Sequence, residues 1–294
     1  MRNTSRNTFR RGICYLLICY FLSMIWRLIL DESASGAWNM ATDEALLLSQ
    51  SPGDAPVLRF YDWNPPCISI GRFQRVRNAR VPSGQDGMRN DHWALAILGS
   101  EFVRRPTGGR AIWHQHEITY SVVLREELLP RETRSVLGSY QWLSRALIQG
   151  LQALGVESQL ATSDERLPRD EKPINCFASS ARSDFVVQGR KLIGAAQCRK
   201  NGAILQHGSL LLKVEGDAWQ RAVGGSMAAT ISLEELGIMA SRPSIIAALC
   251  QGVQQALDAQ LQESQVSEIE KECAARLYSQ KYTIDKWNLD GLEP

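Results

Sequence analysis

The chain of 294 residues holds 33 Lys and Arg against 31 Asp and Glu, with 44% hydrophobic and 22% charged residues. Such a composition fits one large globular domain with a substantial core, and a net charge of +2 lacks the basic excess of a nucleic-acid binder. Seven scattered cysteines, Cys14, Cys19, Cys67, Cys176, Cys198, Cys250 and Cys273, include no Cys-x-x-Cys pair. That pattern fits reduced thiols in a cytoplasmic protein rather than a disulfide framework.

At the start of the chain, Arg2, Arg6, Arg10 and Arg11 precede an apolar run from Ile13 to Trp26. The run resembles a signal peptide or short anchor, but it falls short of the ~20 residues of a spanning helix and no small-residue cleavage site follows. Residues 1–23 are read as an N-terminal extension, either a mis-assigned start or a hydrophobic leader, and 24–294 as the domain proper.

"RLILDES" opens a strand, and "SGAWNMATDEALLLSQS" places Trp38, Ala41, Ala45, Leu46 and Leu48 along one side of a helix. Val57 to Trp63 and Cys67 to Gly71 read as strands across an Asn-Pro-Pro turn. Short strands are also expected over Phe102 to Arg105 and Ile118 to Leu124. The spacing of Leu137, Tyr140, Leu143, Leu147, Leu151 and Leu154 predicts a helix closed by Gly155. After a polar loop containing Cys176 come two strands, with turns at Gln188-Gly189 and Asn201-Gly202. Ile246, Leu249, Val253, Leu257 and Leu261 form one helical stripe, and a last helix spans Val266 to Tyr278. Strands with inserted helices first and helices last predict an α+β (mixed α/β) fold with a helical C-terminal end.

"RPTGGR", Arg105 to Arg110, has neither the spacing nor the following helix of a phosphate loop. Adjacent glycines between strands either make an ordinary tight turn or let a ligand approach the backbone. His114 and His116, two apart, would share a face of a strand, with Glu117 on the other. No further ligand constellation accompanies them, so pocket or core histidines are expected and no metal.

"RFYDWNPPCISIGRFQ", "FVRRPTGGRAIWHQHEITYSVV" and "GRKLIGAAQCRKNGAILQHGSLLL" together resemble the biotin/lipoate protein ligase catalytic family, in family order. The resemblance covers roughly Trp26 to the last helix and implies a class II synthetase-like mixed sheet. It is strongest to octanoyltransferases whose catalytic cysteine lies before the Gly-Arg-Lys strand. Here Cys176 precedes Lys191 by fifteen positions. By that resemblance Cys176 and Lys191 are the catalytic pair, and Arg105, Gly108, Gly109, Arg110, His114, Gly189 and Gly194 bind the acyl group. It also implies octanoyl-acyl carrier protein as donor and a lipoyl-domain protein, such as the glycine cleavage H protein, as acceptor, for a monomer with no cofactor. Two departures from the family pattern, Gln115 in place of an Asp and the Ile193-Gly194-Ala195 stretch, bear on chain-length preference alone.

A thioester is already activated, so transfer to an amine needs no ATP; a cysteine splits it into thioester exchange and aminolysis. The thiolate needs a nearby cation, the role expected of Lys191, although an isolated strand lysine would ordinarily be solvated. Cys198, beside Arg199 and Lys200 on a strand, is the competing nucleophile; Cys67, Cys250 and Cys273 are expected to pack. The alternative is an ATP-dependent lipoate–protein ligase, which needs Lys191 but not Cys176 and often carries a C-terminal domain for which little chain remains. An amidotransferase between lipoyl-domain proteins and a non-catalytic acyl-protein binding module share the same fold.

Overall fold

The computed structural model describes residues 23–74, 101–161, 184–223 and 227–293. In chain order the elements are β1 (Met24–Ala34), α1 (Gly36–Ser49), β2 (Val57–Trp63), β3 (Cys67–Ile70), β4 (Glu101–Arg104), β5 (Ile112–His114), β6 (Glu117–Arg125) and α2 (Val136–Ala153). There follow β7 (Gln159–Leu160), β8 (Phe185–Val187), β9 (Arg190–Lys200), β10 (Ala203–Leu211), α3 (Gly216–Val223), α4 (Arg242–Leu257), β11 (Ala259–Ser264), α5 (Glu268–Leu277), a π turn (Tyr278–Tyr282) and α6 (Asp285–Asn288). Eight strands form one mixed sheet in the order β11-β1-β2-β6-β10-β9-β8-β7, and β4-β3-β5 form a small second sheet. Among the described residues no helix is long and apolar enough to cross a membrane.

The alternation of β2, β6 and β10 gives the large sheet two different faces. Leu58, Phe60, Tyr120, Val122, Leu124 and Ile204 lie in one core cluster with Trp142, Leu143 and Leu147 of α2 and Leu249 and Val253 of α4. The opposite face carries Arg59, Tyr61, Thr119, Ser121, His207 and Ser209, all buried. α1 covers it. The register pairs Arg59 and His207 with Ser121 from its two sides, so polar side chains of three strands converge beneath one helix.

Both expected hairpin turns form with left-handed residues, Gln188-Gly189 (φ 52 and 75) and Asn201-Gly202 (φ 51 and 74), matching the strand twist. α2 ends as expected: Gly155 N–H donates to Gln152 O and Val156 N–H to Leu151 O, the Schellman arrangement. Two expectations are corrected. α1 is not amphipathic with one buried side, because Asn39, Thr42, Asp43 and Glu44 are as buried as Met40 and Leu46. The stripe from Ile246 does not continue to Leu261. Asp258 takes a left-handed conformation (φ 49) that ends α4, and Leu261 lies in β11, parallel to β1. Cys67 to Gly71 forms a strand as expected, and β3 pairs with β4 and β5 in the small sheet.

The C-terminal segment locks onto this framework. Lys281 Nζ lies 2.8 Å from Glu44 Oε2 and Tyr282 Oη donates to the same oxygen at 2.6 Å. Arg104, at the end of β4, donates to the carbonyls of Trp287, Leu289, Gly71, Arg72 and Gln74, while Asn288 Oδ1 accepts from its main-chain N–H.

Candidate functional site

The glycine turn leaves β4 and crosses the polar face of the large sheet. Arg105 clips it from within: Nη2 donates to the carbonyls of Gly108 and Arg110 at 3.0 and 2.9 Å. Arg72 N–H donates to Thr107 O at 2.8 Å from outside. Gly71 lies so close beneath that a Cβ there would overlap the Gly109 carbonyl, and Gly109 itself has φ 94. Both positions therefore call for glycine on steric grounds.

His114 and His116 do not share a strand face. β5 ends at His114, the chain turns, and His116 is an exposed residue with φ 53 whose ring lies 3.5 Å from Glu215. The turn also brings Glu117 to His114 instead of sending it to the opposite side: Nδ1 and Oε1 are 2.6 Å apart. His114 Nε2 lies 2.6 Å from Ser69 Oγ, which accepts from Arg105 Nη1 at 2.8 Å. Trp63 stacks on the imidazole at 3.8 Å, 12° from parallel.

Asp43 organises the other side. Oδ1 accepts from Arg59 Nη1 and Ser121 Oγ, both at 2.8 Å. Oδ2 accepts from Tyr61 Oη at 2.8 Å and from His207 Nδ1 at 3.0 Å. Burial pushes this carboxyl's pKa up, but the His207 hydrogen bond and the Arg59 charge outweigh it, so Asp43 stays ionised with its pKa below the usual value. Burial pushes His207 down from 6.5, against the pull of Asp43, and the ring is neutral at pH 7. Its Nε2 lies 2.7 Å from Thr107 Oγ1.

Between these two imidazoles lies a small pocket. Met40 of α1, Tyr61 and Trp63 of β2, and Arg105, Ile112 and His114 of the turn and β5 form part of its wall. Gly194, Ala195 and Ala196 of β9 face Ser209, Gly208 and His207 of β10, all six lining it. All of them but His207 are small, which leaves the room. Gly109 roofs this floor, since a Cβ there would lie 3.9 Å from Ala196 Cβ.

Of the expected site residues, Arg105, His114 and Gly194 line the pocket; Gly108, Gly109 and the half-buried Arg110 belong to the turn at its edge. Gly189 sits at an exposed hairpin tip. Lys191 is buried rather than solvated, with Nζ 2.7 Å from Asp184 Oδ2 in a pair whose side chains are 1% and 3% exposed. Cys176 lies outside the described residues. Burial pushes the Cys67 thiol well up, Cys198 to about 12 and Cys250 to about 11, which keeps all three protonated. Sequence reasoning missed Asp43, His207, Glu117, Ser69 and Asp184. Two signals were available: adjacent acids inside the apolar run "NMATDEALLL", and polar alternation at 117, 119 and 121 opposite 207 and 209.

The family model described as "Lipoyl protein ligase A/B catalytic domain" matches residues 35–268. A protein of Kyrpidia tusciae named octanoyltransferase LipM is 39% identical over 281 residues, covering 90% of this chain and 98% of that one. The Bacillus subtilis protein of the same name is 33% identical, covering 90% and 97%. Among solved structures, a putative lipoate protein ligase of T. acidophilum superposes with a TM-score of 0.74 at 24% identity, covering 91% of this chain and all of that one. A lipoate-protein ligase A bound with ATP gives the same score at the same identity, covering 92% and 100%. These two structures share the fold.

Proposed function

The chain belongs to the lipoyl protein ligase A/B catalytic domain family, and within it we propose that it is an octanoyltransferase, passing an octanoyl group from acyl carrier protein to a lysine of a lipoyl-domain protein. The observation that carries this reading is the pocket beneath the glycine turn, with its floor of Gly194, Ala195, Ala196 and Gly208 and with both ring nitrogens of His114 and His207 already hydrogen-bonded. Such a wall suits an alkyl chain, which offers nothing to pair with a free donor or acceptor. The likeness to proteins named octanoyltransferase, over nearly their whole length, supports the same acyl group.

In the proposed reaction the Cys176 thiolate adds to the donor carbonyl, the carbon–sulfur bond to the carrier breaks, and the carrier thiolate leaves and takes a proton. The acceptor lysine amine then attacks the Cys176 thioester, the amide forms, the amine loses a proton, and Cys176 departs as thiolate. Lys191 is the proposed cation that favours that thiolate. A buried lysine is uncommon, and Asp184 is the carboxylate paired with this one at 2.7 Å. The raised pKa of Cys198 counts against it as the nucleophile. The chemistry is that of a cytoplasmic enzyme acting on carrier-bound acyl groups, with glycine cleavage H protein as one fitting acceptor.

The test is an intact-mass measurement after mixing with octanoyl-acyl carrier protein, without ATP, beside Cys176→Ala. An octanoyl-sized, hydroxylamine-labile adduct on the wild type alone is expected. An unmodified wild type that lipoylates a lipoyl domain with ATP and free lipoate would make the chain a ligase.

A further inference from the structure

We propose that Asp43, His207 and Thr107 form one hydrogen-bonded chain that sets the glycine turn over the acyl pocket, which makes Asp43 and Thr107 positioning residues for acyl transfer. The inference rests on the octanoyltransferase reading above.

The chain has a fixed direction. Asp43 accepts at both oxygens, so His207 Nδ1 bears the proton; a neutral ring then has its lone pair at Nε2, and Thr107 donates its hydroxyl there. All three residues are buried, at 0, 5 and 0% exposure. Arg59 and Tyr61 hold Asp43 from below, so the anchor is rigid before it reaches the histidine.

Its far end is the residue just before Gly108-Gly109. Thr107 is thus gripped twice: its carbonyl by Arg72 N–H, its side chain by His207. The main chain between these grips and the Arg105 clip is the pocket's edge, and His207 is itself part of the wall. A polar network kept for stability alone has no reason to end on this turn, since well-packed apolar residues do that task as well.

The octanoyl chain is common to both half-reactions while the protein partners differ. A misplaced turn therefore slows both alike. Full-length wild type, Thr107→Val, Thr107→Ser, Asp43→Asn and the Asp43→Asn/Thr107→Val double variant would be compared in acylation by octanoyl-acyl carrier protein and in transfer from the pre-acylated enzyme to a lipoyl domain. Thr107→Val keeps the shape, removes the hydroxyl and leaves Nε2 buried without a donor. It is expected to lower the saturating rate of both steps by about tenfold, with the half-saturating lipoyl-domain concentration unmoved. Thr107→Ser should restore most of the rate, and the double variant should be no slower than the slower single one.

Equal rates for Thr107→Val and wild type would overturn the chain, as would equal damage from Val and Ser or multiplicative effects in the double variant. If Asp43→Asn does not fold, the Val–Ser comparison decides by itself. A wild type that takes no acyl group from the donor would overturn the octanoyltransferase reading, and this inference with it.

Discussion

Replacing Lys281 by Met tests how the C-terminal segment is held. Its Nζ lies 3.0 and 2.8 Å from the two oxygens of Glu44 and 3.8 Å from the centre of the Trp287 ring, and the two residues are 4% and 3% exposed. Removing one member of a buried pair costs about 3–5 kcal/mol because the other charge is stranded. Tyr282 still donates to Glu44 and Lys200 remains 3.5 Å away, so the low end, about 3 kcal/mol, is expected. In a domain of this size that is a fall in Tm of roughly 6–12 °C.

The pH dependence identifies the cause. In the wild type burial raises the Glu44 pKa, but Lys281, with help from the Tyr282 hydrogen bond and Lys200, outweighs it and leaves the folded value below 4.5. That contribution is complete above about pH 4.5 and is lost as pH falls through the folded value. Without Lys281 the burial effect dominates and raises the pKa, so the folded state takes up a proton first. The stability gap to wild type must then narrow between pH 7 and pH 5. Urea unfolding at several pH values measures it, and Glu44→Gln/Lys281→Met should recover more than half the loss. A gap below about 1 kcal/mol at pH 7, the size of an exposed ion pair, or one that ignores pH, would refute the reasoning.

Gly71→Ala places a methyl group against the Gly109 carbonyl, so the glycine turn must move; octanoyl transfer should fall by ~10²-fold while Tm drops only a few degrees. An unchanged rate in the acylation assay would show that the turn has slack. His207 has a folded pKa lowered from 6.5 by burial, with Arg105 and His114 acting in the same direction, so below that pH the unfolded chain binds the extra proton. Its contribution is complete above 6.5 and is lost as pH falls toward the folded value, with a slope of up to ~1.4 kcal/mol per pH unit. Unfolding curves between pH 5 and 7 should show that slope in the wild type and a flatter one in His207→Asn.

Local pattern by itself determined most of the elements. The left-handed turns at Gln188-Gly189 and Asn201-Gly202, the Gly155 end of α2 and the runs of β2, β6 and β10 follow from backbone preferences and periodicity confined to a few residues. The family resemblance, rather than local periodicity, placed Arg105, His114 and Gly194 at a binding site, and all three line the pocket. Only the tertiary structure decided what the polar residues do. Asp43 and Glu44 are adjacent in one helix, yet one holds the pocket through His207 and the other the C-terminal segment through Lys281. Leu261 fits the helical period, but Asp258 turns the chain and β1 offers a free edge for pairing. Lys191 looks like a solvated strand lysine until Asp184 is beside it. Periodicity assigns a residue to a face, whereas a buried charge is settled by its partner, and these partners lie from 7 to 237 positions away in the chain.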